Sequence, residues 1–157
     1  MIFRVMKPIF MFLSLCLLTV SCIDTEYEKN ISFADGIWHK DSVARFSFEV
    51  KDIQSPYEMI VSVRNSNSYP YSNLYLFVNI VDPSGTMSRD TVEYDLADVY
   101  GKWLGKGWSA NYDNDLLLHD RYRFASVGTY RVELIQAMRE IRLKGIKDVG
   151  FSLRKKN

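Results

Sequence analysis

The chain has 157 residues with 20 Lys and Arg against 19 Asp and Glu, a formal charge of +1. It lacks the basic surplus that a phosphate backbone demands, so nucleic acid is not indicated as a partner. Tyr, Phe and Trp make up 14% of it, which points to a packed aromatic β core rather than a low-complexity chain. Two cysteines, Cys16 and Cys22, are too few for a disulfide framework or a Cys-based zinc site.

In chain order, Arg4 and Lys7 lead into Ile9 to Val20, "IFMFLSLCLLTV". An uncharged apolar run of this length suits a signal-peptide core and is short for a bilayer span. Ser21 then stands directly before Cys22, and the chain turns polar at Asp24. This arrangement resembles the lipobox of bacterial lipoproteins, with Thr19 where Leu is commoner. The resemblance implies that Cys22 takes a diacylglycerol on its sulfur, that signal peptidase II cuts before it, and that the new amino group is acylated, as by palmitate. Each buried acyl methylene contributes roughly 0.8 kcal/mol, so several chains on one residue attach a domain firmly to a membrane without a spanning helix. Cleavage removes Cys16 and two positive charges and leaves a nearly neutral mature chain. The expected organisation is a lipoprotein signal peptide over 1–21, a lipidated polar tether over 22–32, and one domain over 33–157.

Alternation supplies the elements of that domain. Ala44, Phe46, Phe48 and Val50 alternate with polar neighbours, as do Tyr57, Met59, Val61 and Val63, and period two means half-buried strands. Asn73 to Val81, "NLYLFVNIV", is apolar on both faces and reads as a central buried strand that ends at the turn Asp82-Pro83-Ser84-Gly85. Further strands are expected over Arg89 to Asp95, Leu116 to Phe124, Thr129 to Gln136 and Ile146 to Leu153. Only Ala137 to Gly145 could form a helical turn. Seven or eight short strands indicate an all-β, antiparallel β-sandwich, with a jelly roll as one form of it. The basic run Arg154 to Lys156 reads as a solvated tail.

The letters give little catalytic chemistry. His39 and His119 stand far apart with no ligand spacing between them, and Asp113, Asn114 and Asp115 lack the glycine and distal glutamate of an EF-hand and read as a polar turn. Gly101, Gly105 and Gly107 lack the G-K-[ST] ending of a phosphate loop, and there is no G-x-S-x-G elbow. The expectation is a protein that is not an enzyme, with no metal and no cofactor.

What stands out is a set of polar-aromatic phrases: "WHKD" from Trp38, "VRNSNSYPYSNLYLF" from Val63, "DTVEYDLADVYGKWLGKGW" from Asp90, "FASVGTYRVELIQAMR" from Phe124 and "LKGIKDVGFSL" from Leu143. With the lipobox, these resemble the GldH family of gliding-motility lipoproteins from Cys22 to about Leu153. The resemblance implies an outer-membrane lipoprotein, on its periplasmic or surface face, that works with gliding and type IX secretion components in the envelope and has no known catalytic residue. Two functions follow as expectations. The first is a non-catalytic interaction or scaffold module held to the membrane through lipid on Cys22. The alternative is a carbohydrate- or peptidoglycan-binding module.

Trp103, Trp108 and Tyr112 fall in a glycine-rich stretch, where a chain usually runs over the surface, and Trp and Tyr often dominate binding energy. The Tyr100 to Asp115 loop is therefore expected to contact an envelope partner, together with Tyr69, Tyr71 and Asn73. The competing expectation is that Trp103 and Leu104 fold back as a plug over one open end of the sandwich.

Overall fold

The computed structural model describes residues 25–156. The expected signal peptide over 1–21 and the expected lipidation site Cys22 lie outside the described residues. Eleven strands are β1 (Thr25–Ser32), β2 (Ile37–His39), β3 (Ala44–Val50), β4 (Tyr57–Ser66), β5 (Asn73–Val81), β6 (Met87–Asp95), β7 (Lys106–Trp108), β8 (Asn111–Tyr122), β9 (Gly128–Gln136), β10 (Arg142–Lys144) and β11 (Ile146–Lys155). The one other regular element among the described residues is a three-residue 3-10 turn, Ala34–Gly36.

A five-stranded sheet ordered β1-β11-β4-β8-β7 packs on a four-stranded sheet ordered β3-β9-β5-β6, with β2 and β10 as a small ribbon. Every pairing is antiparallel. The pairs β1 with β11, β3 with β9, β4 with β8 and β5 with β6 are nested one inside the next. Such nesting is that of a long hairpin rolled up on itself, which makes this sandwich a jelly roll.

The core follows the alternation. In β3, Ala44, Phe46, Phe48 and Val50 are buried and the residues between them are exposed. Met59, Val61 and Val63 of β4 lie beside Leu153, Phe151 and Val149 of the neighbouring β11 and share the core with Tyr130, Val132 and Leu134 of β9 from the other sheet. Phe48 sits at the aromatic centre, with ring centroids 5.5 Å from Phe151, 5.4 Å from Tyr27 and 5.9 Å from Phe124.

Four expectations are corrected. Arg154 and Lys155 end β11 and, with Lys156, pair with Glu58, Asp52 and Asp120 rather than forming a solvated tail. Residues 25–32 form β1 rather than tether, because pairing with β11 satisfies a polar strand's backbone and Tyr27 and Ile31 pack against the core. Ala137 to Gly145 contains no helix; Met138 and Leu143 are buried there, and β10 pairs with β2. β5 lies between β9 and β6 with Leu74, Leu76, Val78 and Ile80 buried inside, but its outer face is only partly covered, since Phe77 is half-buried and Tyr75 exposed.

Strand direction divides the molecule. At one end lie the start of β1, the end of β11, the loops 51–56, 82–86 and 123–127, and the described C-terminus. At the other lie the loops 67–72 and 96–105, the β7–β8 hairpin, and the β2–β10 ribbon. About eight residues at a rise of ~3.3 Å separate the two ends by roughly 25 Å.

Candidate functional site

The polar-aromatic phrases converge at this second end. β4 leads out at Ser66 and the chain turns back through Tyr69, whose amide donates to the Ser66 carbonyl at 3.0 Å. Tyr69, expected at a contact surface, is only 3% exposed. Its hydroxyl donates to the Asn73 carbonyl at 2.7 Å, and burial pushes its pKa up. It supports the site from beneath. Gly145, at φ +86°, makes this possible: a Cβ there would stand 2.4 Å from the Tyr69 amide nitrogen.

Tyr71 is half-buried, meets Tyr69 edge-on at 5.8 Å and donates its hydroxyl to Glu140 at 3.0 Å. The Asn73 side chain donates to Glu93 at 2.7 Å. Both are engaged within the fold, with part of each surface still open.

The stretch Tyr100 to Asp115, expected as one loop, contains β7 and the first residues of β8. It begins from Leu96, fully buried, whose amide donates to the Ser72 carbonyl at 2.7 Å. Asp98 then closes a turn by accepting from the amides of Tyr100 and Lys102, each at 2.9 Å. Trp103 follows, half-buried, with its indole donating to Asn67 at 3.0 Å and its ring 5.7 Å from Tyr112 and 6.3 Å from Tyr69. Trp103 thus packs back onto the fold, whereas Leu104, expected in the same plug, is 57% exposed. Tyr112 is half-buried against Trp103.

Trp108 differs. Gly107 lies so close to β8 that a Cβ would come within 2.0 Å of the Asn111 carbonyl, and Ser109 turns the hairpin at φ 73°. The hairpin leaves Trp108 93% exposed, and Tyr100 and Leu104 in the loop at the same end are exposed as well. So exposed, the Trp108 ring adds little packing to the fold.

Residues that the sequence reading placed in a turn belong to β8. Asn114 is buried and donates its side-chain amide to Asn65 at 2.9 Å and to the Val63 carbonyl at 3.1 Å. Its neighbours face outward. Asp113 receives Arg64 at 2.6 and 3.3 Å, and Asp148 lies 3.5 Å from the same guanidinium. Strand alternation was the available signal: Asp113 and Asp115 on one face put Asn114 on the other. Among the described residues no group of three or more His, Cys, Asp or Glu is placed to hold a metal ion. His39 pairs with Asp41, and His119 packs on Tyr122.

A second feature lies around the outer face of β5. Tyr71, Tyr75, Ala137, Met138 and Arg139 line a groove of about 330 Å³.

Comparison with known proteins adds the following. A family model described as GldH lipoprotein matches residues 25–153. A protein of Christiangramia forsetii named gliding motility lipoprotein GldH homolog is 38% identical over 125 residues, 75% of this chain and 77% of its own. Gliding motility lipoprotein GldH of Flavobacterium johnsoniae is 38% identical over 127 residues, 76% of this chain and 79% of its own. Among solved structures, dimeric latent PorU from Porphyromonas gingivalis superposes over 85% of this chain and 13% of its own, with 10% identity and a TM-score of 0.38. A likeness that distant says nothing about function.

Proposed function

The chain belongs to the GldH lipoprotein family, and on that premise we propose that it is a lipid-anchored, non-catalytic interaction module of the envelope, docking a protein of the gliding or type IX secretion machinery at the outer membrane. Lipid on Cys22 supplies the anchor, and the end of the sandwich opposite the start of β1 supplies the contact surface. The observation that carries this reading is Trp108, 93% exposed on the β7–β8 hairpin at the same end as the Trp103, Tyr112 and Tyr69 cluster. Covering a ring of ~200 Å² at about 25 cal/mol per Å² is worth up to ~5 kcal/mol before ordering costs, enough for a binding hot spot. Trp103, Tyr112 and Tyr69 hold that surface in shape, while Tyr71 and Asn73 lie to one side of it.

The test has two parts. Cys22→Ala should move the protein from the membrane fraction to the soluble one, and intact mass should place the acylated N-terminus of the unaltered protein at residue 22. A photo-crosslinking residue at position 108 should trap a gliding or secretion component in the native envelope, and Trp108→Ala should lower that component's capture at least tenfold. Unchanged capture would reject the surface.

The groove beside half-buried Tyr71 and exposed Tyr75 favours the second reading, a glycan or peptidoglycan module, because an exposed aromatic face such as that of Tyr75 can stack on a sugar ring. A peptidoglycan pull-down abolished by Tyr75→Ala and untouched by Trp108→Ala would select it.

A further inference from the structure

Lipidation at Cys22 leaves two residues, Ile23 and Asp24, before β1 begins at Thr25. Three residue steps span at most ~10 Å when fully extended. The end of the sandwich where β1 starts is therefore held within about that distance of the headgroups. The opposite end, roughly 25 Å further along the strands, cannot reach them while β1 stands upright.

The pieces at the near end form one continuous surface. The Lys156 amide donates to the Pro56 carbonyl at 2.9 Å, Lys155 reaches Asp52 at 2.7 Å, and Arg123 donates to the Gln54 carbonyl. The 82–86 loop joins them, because the Gly128 position lies against Pro83, with 2.9 Å from a built Cβ to its ring. Several acids on this surface are already engaged, while Glu26 at the start of β1 is exposed. Lys155 occupies Asp52, Lys156 lies on Glu58 and Asp120, and Asp82 accepts the amides of Ser84 and Thr86. What this end leaves exposed is Met87 and Val127, each more than half exposed, together with Pro83, Arg121 and Arg123, the last also bonded to the Gln54 carbonyl. Apolar tips flanked by cations are the composition that settles at a headgroup boundary.

We propose that this end, tipped by Pro83, Met87 and Val127, is a membrane-docking surface, so that the jelly roll stands on the bilayer with Trp108 facing away from it. The proposal rests on the lipidation of Cys22. The alternative pose, lying along β1, would press Glu26, Glu28 and Asn30, all exposed, against the headgroups, without an apolar contact to offset their desolvation. Standing upright gives the anchor a second function: it sets the height and direction of the partner surface.

The experiment uses the full lipidated protein in vesicles of phosphatidylethanolamine and phosphatidylglycerol carrying headgroup spin labels. A fluorophore is attached through a single added cysteine at Val127→Cys, Ala110→Cys or Asn30→Cys. The expected result is about twofold or greater quenching at 127 and little at 110 or 30, since an interfacial contact buries only ~5–10 Å of the protein. Val127→Asp with Met87→Asp, labelled at Ser84→Cys, should lose quenching and still co-float with the vesicles through its lipid. Equal quenching at 127 and 110, or the strongest at 30, overturns the proposal while the anchor stands. Failure of the unaltered protein to co-float removes the anchor and the proposal together.

Discussion

Trp103 and Trp108 lie five residues apart in one glycine-rich phrase, and the structure places them in opposite surroundings, one half-buried and one 93% exposed. Removing the Trp103 ring deletes a hydrogen bond to Asn67 at 3.0 Å, worth about 1 kcal/mol, and two aromatic contacts with Tyr69 and Tyr112, each worth roughly 0.5 to 1.5 kcal/mol. Its half-buried surface adds further loss. Trp103→Ala should therefore cost about 2 to 4 kcal/mol, a drop of roughly 1 to 2 M in the urea midpoint of the mature chain at an m-value of ~2 kcal/mol per M. Trp108→Ala removes a ring that touches almost nothing and should stay within about 0.5 kcal/mol. Urea titration followed by far-UV circular dichroism measures both. A loss above ~1 kcal/mol for Trp108→Ala, or below ~1 kcal/mol for Trp103→Ala, would refute the division into presented ring and plug.

Leu76→Ala and Val78→Ala, on the buried face of β5, should cost roughly 3 to 5 and 1 to 3 kcal/mol in the same titration; small losses at both would mean that β5 is not central. Gly145→Ala places a Cβ 2.4 Å from the Tyr69 amide nitrogen at a φ of +86°, so a loss of about 2 kcal/mol or more is expected, and a neutral result would contradict the close packing of that loop on Tyr69. The Asp52 carboxyl is held below the ordinary carboxylate range, first by Lys155 and then by the Gln54 amide and the Ser55 hydroxyl. A folded pKa below the unfolded one contributes stability that is present above about pH 4 and lost as the pH falls from there toward the folded value. Asp52→Asn should flatten the acid limb of a plot of stability against pH, and an unchanged limb would show that the Lys155 contact does not persist in solution.

Several elements needed nothing but local sequence. The spacing of Ala44, Phe46, Phe48 and Val50 specifies a one-sided strand because the pleat has period two, and the observed burial follows it residue by residue. The turn Asp82-Pro83-Ser84-Gly85 and the two-sided apolar run before it marked β5 to its first and last residues. The charged start, apolar run and Ser21-Cys22 pair carry the lipoprotein reading by themselves, and the motif phrases carried the family.

Tertiary pairing decided the rest. β1 is polar at most positions and reads as tether until β11 supplies a backbone partner, since a strand's hydrogen bonds come from another part of the chain. The same holds for Asn114, which looks like a turn residue until β4 pairs with it and alternation turns it inward. For the aromatic residues, composition could name Trp103, Trp108, Tyr112, Tyr69 and Tyr71 as a set. It could not sort them, because exposure depends on which loop folds over which ring: Gly145 lets one loop close over Tyr69, and Gly107 holds the hairpin that leaves Trp108 uncovered.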